Sequence, residues 1–219
     1  MKVLVFAPHP DDDLIGCGGS LAKHVKRGSQ VTAVYMTSGD AGSKRYSKEK
    51  LAKIRENESR EAAKLIGINK LIYLRNQDGL LCCNEKNIYS VTNIIKIEKP
   101  CVVYVPHIND GHRDHKKTNE IVIEAIKRAG LPILFEFDRP PWMVRKVLCY
   151  ETWTPLPVVT FKEDISNYFE LKEKALKLHK SQIENINHLK SIKKLYEKND
   201  ILVSKEKKWE LFQVLKVNK

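Results

Sequence analysis

A chain of 219 residues with 42% hydrophobic and 30% charged residues is long enough for one domain with a substantial core, and its composition is that of a soluble globular protein. No apolar run approaches the roughly 20 residues of a membrane span, and Met1-Lys2 leads straight into an apolar stretch with no h-region or cleavage site, so a cytoplasmic protein without a membrane anchor is expected. The formal charge of +12 would suit nucleic acid or an anionic surface, but it comes mostly from lysines scattered over predicted helices and dense from Lys162 to Lys208. No nucleic-acid motif accompanies them, so no nucleic-acid partner is expected.

In chain order, Val3-Leu4-Val5-Phe6 reads as a buried strand that stops at Pro8. His9, Asp11, Asp12 and Asp13 follow within five residues, then Gly16, Gly18 and Gly19. Three carboxylates and an imidazole at a strand end repel one another unless a positive group sits among them, and a divalent metal is the simplest one. One aspartate is expected to cap the helix from Leu14 to Arg27, which Gly28 closes. Capping needs neither His9 nor three acids.

Val31 to Met36 is a second strand, with the loop Thr37 to Gly42 at its carboxyl end. Ser47 to Ile66 is strongly helical and ends at Gly67; Lys70 to Leu74 is a third strand, and Gln77-Asp78-Gly79 a turn. Lys86 to Glu98 is helical up to Pro100, and Cys101 to Val105 is a fourth strand. Such alternation predicts βαβ units: a single-domain α/β protein with a Rossmann-like, mostly parallel sheet and helices on both faces. Residues 1–135 form the regular half, and 136–219 carry late strands and basic helices.

Directly after the fourth strand comes Pro106-His107-Ile108-Asn109-Asp110-Gly111-His112-Arg113-Asp114-His115, with three of the seven histidines inside nine residues. Two His/Asp clusters at the carboxyl ends of parallel strands can meet on one rim. His9, one Asp of the first cluster and one His of the second would supply three ligands and leave a position for water, the pattern of a catalytic zinc. A polar loop capped by Asp114 accounts for one histidine, not three. His24 and His188 are assigned no metal role.

Beyond these motifs, Arg139-Pro140-Pro141-Trp142 breaks the pattern and is expected to form a mobile loop. Lys146 to Glu151 and Pro157 to Phe161 read as late strands, and Asp164 as the cap of a long helix to about His179. A further basic helix is expected to Lys198, and Trp209 to Val217 is strand or helix. Five cysteines, odd in number and without CxxC spacing, read as reduced and mostly buried thiols.

Ala7-Pro8-His9-Pro10-Asp11-Asp12-Asp13 with Gly16-Cys17-Gly18-Gly19 resembles the opening motif of the LmbE-like (PIG-L) zinc-dependent de-N-acetylases. His107 to His115 resembles their second motif, and Arg55, Glu58, Asp78-Gly79, Glu151-Thr152-Trp153, Ser181-Gln182 and Glu210-Leu211-Phe212 extend the similarity over nearly the whole chain. The family usually has Glu where Asp13 stands. The resemblance implies His9, Asp12 and His115 as metal ligands, for Zn2+ or, with the same ligands, Fe2+. It implies Asp11 as general base, and His112 as a protonated group that holds the oxyanion or protonates the leaving amine, oriented by Asp114. Arg55 and Asp78 would contact the sugar. The substrate implied is a small N-acetylated amino sugar, an N-acetylglucosamine conjugate of malate, inositol or similar. The resemblance also implies a homo-oligomer, a trimer or hexamer. A catalytically inactive sugar-binding protein of the same fold is the alternative, and it would lack the base or a ligand.

Overall fold

The computed structural model describes residues 1–132, 139–183 and 207–215. In chain order the elements are β1 (Lys2–Ala7), α1 (Asp12–Lys26), β2 (Gln30–Thr37), α2 (Lys48–Ile66), β3 (Lys70–Asn76), α3 (Glu85–Glu98), β4 (Val102–Pro106), α4 (Arg113–Gly130), β5 (Lys146–Tyr150), β6 (Phe161–Asp164), α5 (Phe169–Leu176), α6 (Lys180–Ile183) and β7 (Trp209–Leu215). The strands form one sheet in the order β3-β2-β1-β4-β5-β7-β6. The first five are parallel, and β7 and β6 close the edge antiparallel.

The parallel strands are apolar on both faces because both are covered. Within β1, Val3, Val5 and Ala7 pack against α1, α2 and α5, while Leu4 and Phe6 pack against α3 and α4. Caps fix the helices locally: Ser47 accepts from the Lys50 N–H to start α2, and Gly67, at φ 89°, ends it in the left-handed conformation. Asn84 starts α3 in the same way. β1 lies between β2 and β4, with α1 on one face and α3 on the other, so the chain switches direction between β1 and β4. Open α/β sheets bind ligands at that crevice.

α1 begins at Asp12, two residues ahead of the expected start, and is interrupted at Cys17, whose φ and ψ are −147° and 19°. The break frees backbone groups inside the protein. The buried Glu210 of β7 accepts from the N–H groups of Gly19 (2.9 Å) and Ser20 (2.7 Å). The buried Lys172 of α5 donates to the Ile15 carbonyl at 2.8 Å and to Glu210 at 2.6 Å. One ion pair thus replaces the helix hydrogen bonds lost at the break.

Several expectations for the second half need correction. The strand expected from Pro157 to Phe161 instead starts at Phe161, since pairing with β7 sets it: Thr160 N–H bonds Phe212 O, and Phe161 sits opposite Phe212. Asp164 does cap, accepting from the Ser166 N–H and hydroxyl, but in place of the long helix to His179 there are a 3-10 turn at Ser166–Tyr168 and α5, which ends at Leu176. Arg139 to Trp142 is a loop, as expected, yet Trp142 is tied down by its backbone N–H on Ala129 O and its indole N–H on Pro100 O, both 2.8 Å. All five cysteines are free, but only Cys17 and Cys149 are buried; Cys82 and Cys83 are exposed. Of the basic helix expected up to Lys198, the described residues include α6; residues 184–198, with His188, lie outside the described residues. Among the described residues, no helix is long and apolar enough to cross a membrane.

Candidate active site

Both sequence motifs reach the β1/β4 crevice. Pro8 ends β1, and its carbonyl accepts from the Thr37 N–H and hydroxyl at 2.9 Å, which ties the turn to β2. The following residues are buried. Asp11 occupies the N-cap position of α1 with φ 156° and ψ −25°, a conformation side-chain-bearing residues seldom adopt. Such backbone persists where its surroundings over-determine it. Its carboxylate makes no capping bond. Instead Arg55, from the middle of α2, donates to Asp11 Oδ1 at 2.9 Å, to the Pro10 carbonyl at 3.2 Å and to the Gly39 carbonyl at 3.1 Å. Gly39, at φ 62°, leaves room for that guanidinium where a Cβ would collide with it.

The second motif comes in on the loop from β4 to α4. The rings of His9, His112 and His115 gather with centroids 4.9–5.4 Å apart. Asp12 Oδ2 faces two of them, 2.9 Å from His9 Nδ1 and 3.3 Å from His115 Nε2. On its other side, His9 Nε2 lies 3.0 Å from Asp78 Oδ1 and 3.3 Å from Asp114 Oδ2. The Asp114 carboxylate also accepts from the N–H groups of Gly79 (2.7 Å) and Leu81 (3.2 Å), so it pins the turn after β3. A pocket of about 280 Å³ opens over these groups, lined also by Arg55, Asp78, Trp153 and Gln182.

The electrostatics follow from crowding carboxylates around imidazoles in a buried place. Burial alone would lower the pKa of His9, but Asp114, Asp12 and Asp78 beside it raise it well above the ordinary histidine value. Burial likewise opposes charge on His115, yet Asp12 and Asp110 bring it up to about 9. Burial would raise Asp78, and the His9 ring outweighs it to give about 2. His112 differs: burial, then the charges of His9 and His115, push it below the ordinary value. A protonated resting His112, as expected from the sequence, is therefore disfavoured. Burial lifts Asp13 to about 7, against a hydrogen bond from the Tyr35 hydroxyl at 3.1 Å. Asp13 faces Tyr35 under the helix and does not line the pocket.

The donor set fits a metal ion. Ligand atoms of His9, His112 and His115 lie within 4.8 Å of one another, as do those of His9, Asp78 and Asp114. His115 Nε2 is buried with no aligned hydrogen bond, although Asp12 is near. Imidazole nitrogens with a carboxylate oxygen suit zinc and iron(II).

Comparison with known proteins places this geometry. The family model for GlcNAc-PI de-N-acetylases, PIG-L, matches residues 4–126, which include both motifs. The chain belongs to the PIG-L family. It is 32% identical over 190 residues to diacetylchitobiose deacetylase of Thermococcus kodakarensis, covering 83% of this chain and 70% of that protein. It is 28% identical over 196 residues to the probable N-acetyl-alpha-D-glucosaminyl L-malate deacetylase 2 of Bacillus subtilis, covering 84% of each. Its fold superposes on N,N'-diacetylchitobiose deacetylase from Pyrococcus horikoshii, complexed with its inhibitor MPG, with TM-score 0.89 and 29% identity over 98% of this chain and 84% of that one.

The residues to which the PIG-L resemblance assigns roles, His9, Asp11, Asp12, Arg55, Asp78, His112, Asp114 and His115, gather at the crevice or behind it, with two changes of partner. Arg55 lines the pocket but spends its terminal nitrogens on Asp11 and two carbonyls. Asp114 meets His112 only through its backbone N–H, which donates to His112 Nδ1 at 3.2 Å, while its carboxylate serves His9. Sequence reasoning alone assigns nothing to Asp110. That buried carboxylate sits 3.3 Å from His115 Nδ1 and accepts from the N–H groups of His112, Trp153 and Thr154. A carboxylate behind an imidazole fixes its orientation, and the available signal was the second acid within the His107–His115 motif. His107 stays out of the cluster, its Nε2 2.8 Å from the Thr154 carbonyl.

Proposed function

We propose that this protein is a zinc-dependent hydrolase that removes the acetyl group from an N-acetylglucosamine conjugate. His9, Asp12 and His115 hold the ion, with Asp110 and Asp114 orienting the two rings from behind. Bound there, Zn2+ supplies Lewis acidity, polarising an amide carbonyl and lowering the pKa of water.

The protein's own groups do the rest. Asp11 accepts a proton from the attacking water, and Arg55, 2.9 Å away, holds that carboxylate in place. His112 has Nδ1 occupied by the Asp114 N–H, which leaves Nε2–H as its donor to the carbonyl oxygen as negative charge builds there. As the C–N bond breaks, Asp11 returns its proton to the departing nitrogen, giving a free amine and acetate. Asp78 and Gln182 wall the pocket where sugar hydroxyls would sit.

The observation that supports this most is the placement of a pinned, non-capping Asp11 in the same pocket as His9 and His112. An inactive sugar-binding descendant would lack that base or a ligand, and this chain keeps both. The test is an amine-release assay on N-acetylglucosamine conjugates with metal-stripped and zinc-restored protein. Release that depends on zinc is expected. No release from any conjugate after zinc is restored would overturn the proposal, and release restored by iron(II) alone would overturn zinc as its metal.

A further inference from the structure

Two adjacent cysteines, Cys82 and Cys83, stand exposed on the segment between β3 and α3. Neither takes part in the proposed hydrolysis. Reactive thiols sit in accessible, electropositive surroundings, and Arg113 Nη2 lies 4.0 Å from Cys82 Sγ. Partial burial, then the charge of Glu120, pushes the Cys83 thiol up, so a first attack falls to Cys82 and Cys83 follows.

A bond between these two sulfurs strains the backbone. Consecutive Cα atoms are about 3.8 Å apart across a trans peptide, closer than the roughly 4.4–6.8 Å that disulfides prefer. Closing the ring therefore twists the Cys82–Cys83 peptide. The carbonyl of that peptide accepts from the Asn84 N–H at 3.1 Å and from Asn87 Nδ2 at 2.9 Å, and the twist pulls on both bonds. One residue earlier, the Leu81 N–H donates to Asp114 Oδ1 at 3.2 Å, and the Gly79 N–H donates to Asp114 Oδ2 at 2.7 Å. Asp114 Oδ2 in turn sits 3.3 Å from His9 Nε2, and Asp78, next to Gly79, lines the pocket. A twist at Cys82 thus has a short path of hydrogen bonds to His9. Strained disulfides are the labile, regulatory ones.

We propose that Cys82 and Cys83 form a reversible vicinal disulfide that slows the hydrolase by dislodging the turn after β3 from Asp114. The oxidant is a low-molecular-weight disulfide, RSSR. The Cys82 thiolate attacks one of its sulfurs, forming a mixed disulfide and expelling RS−. The Cys83 thiolate then attacks the Cys82 sulfur, closing the ring and expelling the second RS−. Two protein thiols are oxidised, one external disulfide is reduced, and the two protons released by the cysteines end on two RSH. This inference rests on the hydrolase reading above and adds its regulation.

The test exposes zinc-loaded protein to oxidised glutathione and follows three readouts. These are the mass of tryptic peptide 76–86, which holds Cys82 and Cys83 and no other cysteine, zinc affinity against a competing chelator, and kcat/KM for amine release. Free thiols are blocked before digestion. The expected peptide carries no blocking group and weighs two hydrogen atoms less than its reduced form. Oxidation should lower zinc affinity or kcat/KM by about 10–100-fold, the usual cost of losing a partner that orients a metal-bound imidazole, and a phosphine reductant should restore it. Cys82→Ser/Cys83→Ser should match the reduced parent and be indifferent to the oxidant. A peptide that stays reduced, or that stops as a mixed disulfide at Cys82, would overturn the proposal. So would a closed ring with zinc affinity and kcat/KM unchanged, or equal inactivation of the double variant, which would assign the effect to another thiol. Absence of turnover before oxidation would overturn the hydrolase reading, while peptide mass and zinc affinity would still decide the redox one.

Discussion

The guanidinium of Arg55 holds the Asp11 carboxylate at 2.9 Å, with both side chains buried. Helix α2 therefore reaches across to fix the acid that precedes the proposed ligand Asp12. If Asp11 moves the proton, Asp11→Asn should retain zinc but lower kcat by about 10²–10⁴-fold, read by metal analysis beside steady-state kinetics. Arg55→Lys should cost roughly 10–100-fold in kcat, since a point charge cannot hold one carboxylate and two carbonyls in a fixed plane. Parent-like kcat in Asp11→Asn would remove it as the base.

The pair Lys172–Glu210 supports the break in α1 from within the core. Removing one partner leaves a buried charge and unsatisfied backbone groups. Lys172→Met and Glu210→Gln should each lose about 3–5 kcal/mol in denaturant unfolding, and the double variant should lose less than the sum of the two. Additive losses would mean that the two residues act independently.

Gly16 packs directly beneath Tyr150, whose hydroxyl donates to the Phe6 carbonyl at 2.8 Å. A Cβ on residue 16 would overlap the Tyr150 ring. Gly16→Ala should therefore destabilise by about 1–3 kcal/mol, the usual cost of overpacking, visible as a lower Tm. An unchanged Tm would show that α1 can lift off β5 freely.

His24, on α1 and remote from the proposed ligands, carries a pH prediction. Burial pushes its pKa down, only partly offset by Glu163, and its Nε2 lies 2.9 Å from the Tyr104 hydroxyl. The unfolded chain thus binds a proton at His24 more readily than the folded one. Its contribution to stability is present above the unfolded pKa of about 6.5 and is lost as pH falls through the lower folded value. Between pH 7 and 5, Tm of His24→Gln should fall less steeply than that of the parent. A parallel fall in both would contradict this.

The strands β1 to β4 were legible because buried parallel strands leave short apolar runs between turn residues, as Val31 to Met36 and Cys101 to Val105 do. The two metal motifs were legible because their residue types are costly to gather without a cation. What sequence left hidden depends on partners far along the chain. The break at Cys17 is sustained by Lys172 and Glu210, and the start of β6 is set by pairing with β7. The exchange of partners at Asp114, from His112 to His9, needs the turn after β3 to be in place. Asp110 was overlooked because it serves His115 from behind rather than facing the pocket.

The most direct test of the central claim is anomalous scattering at the zinc edge from crystals grown with zinc. The account predicts one strong peak in the β1/β4 crevice, about 2.0–2.2 Å from donor atoms of His9, Asp12 and His115, and its loss in His115→Ala. No peak in that crevice, or a peak that survives His115→Ala unchanged, would contradict it.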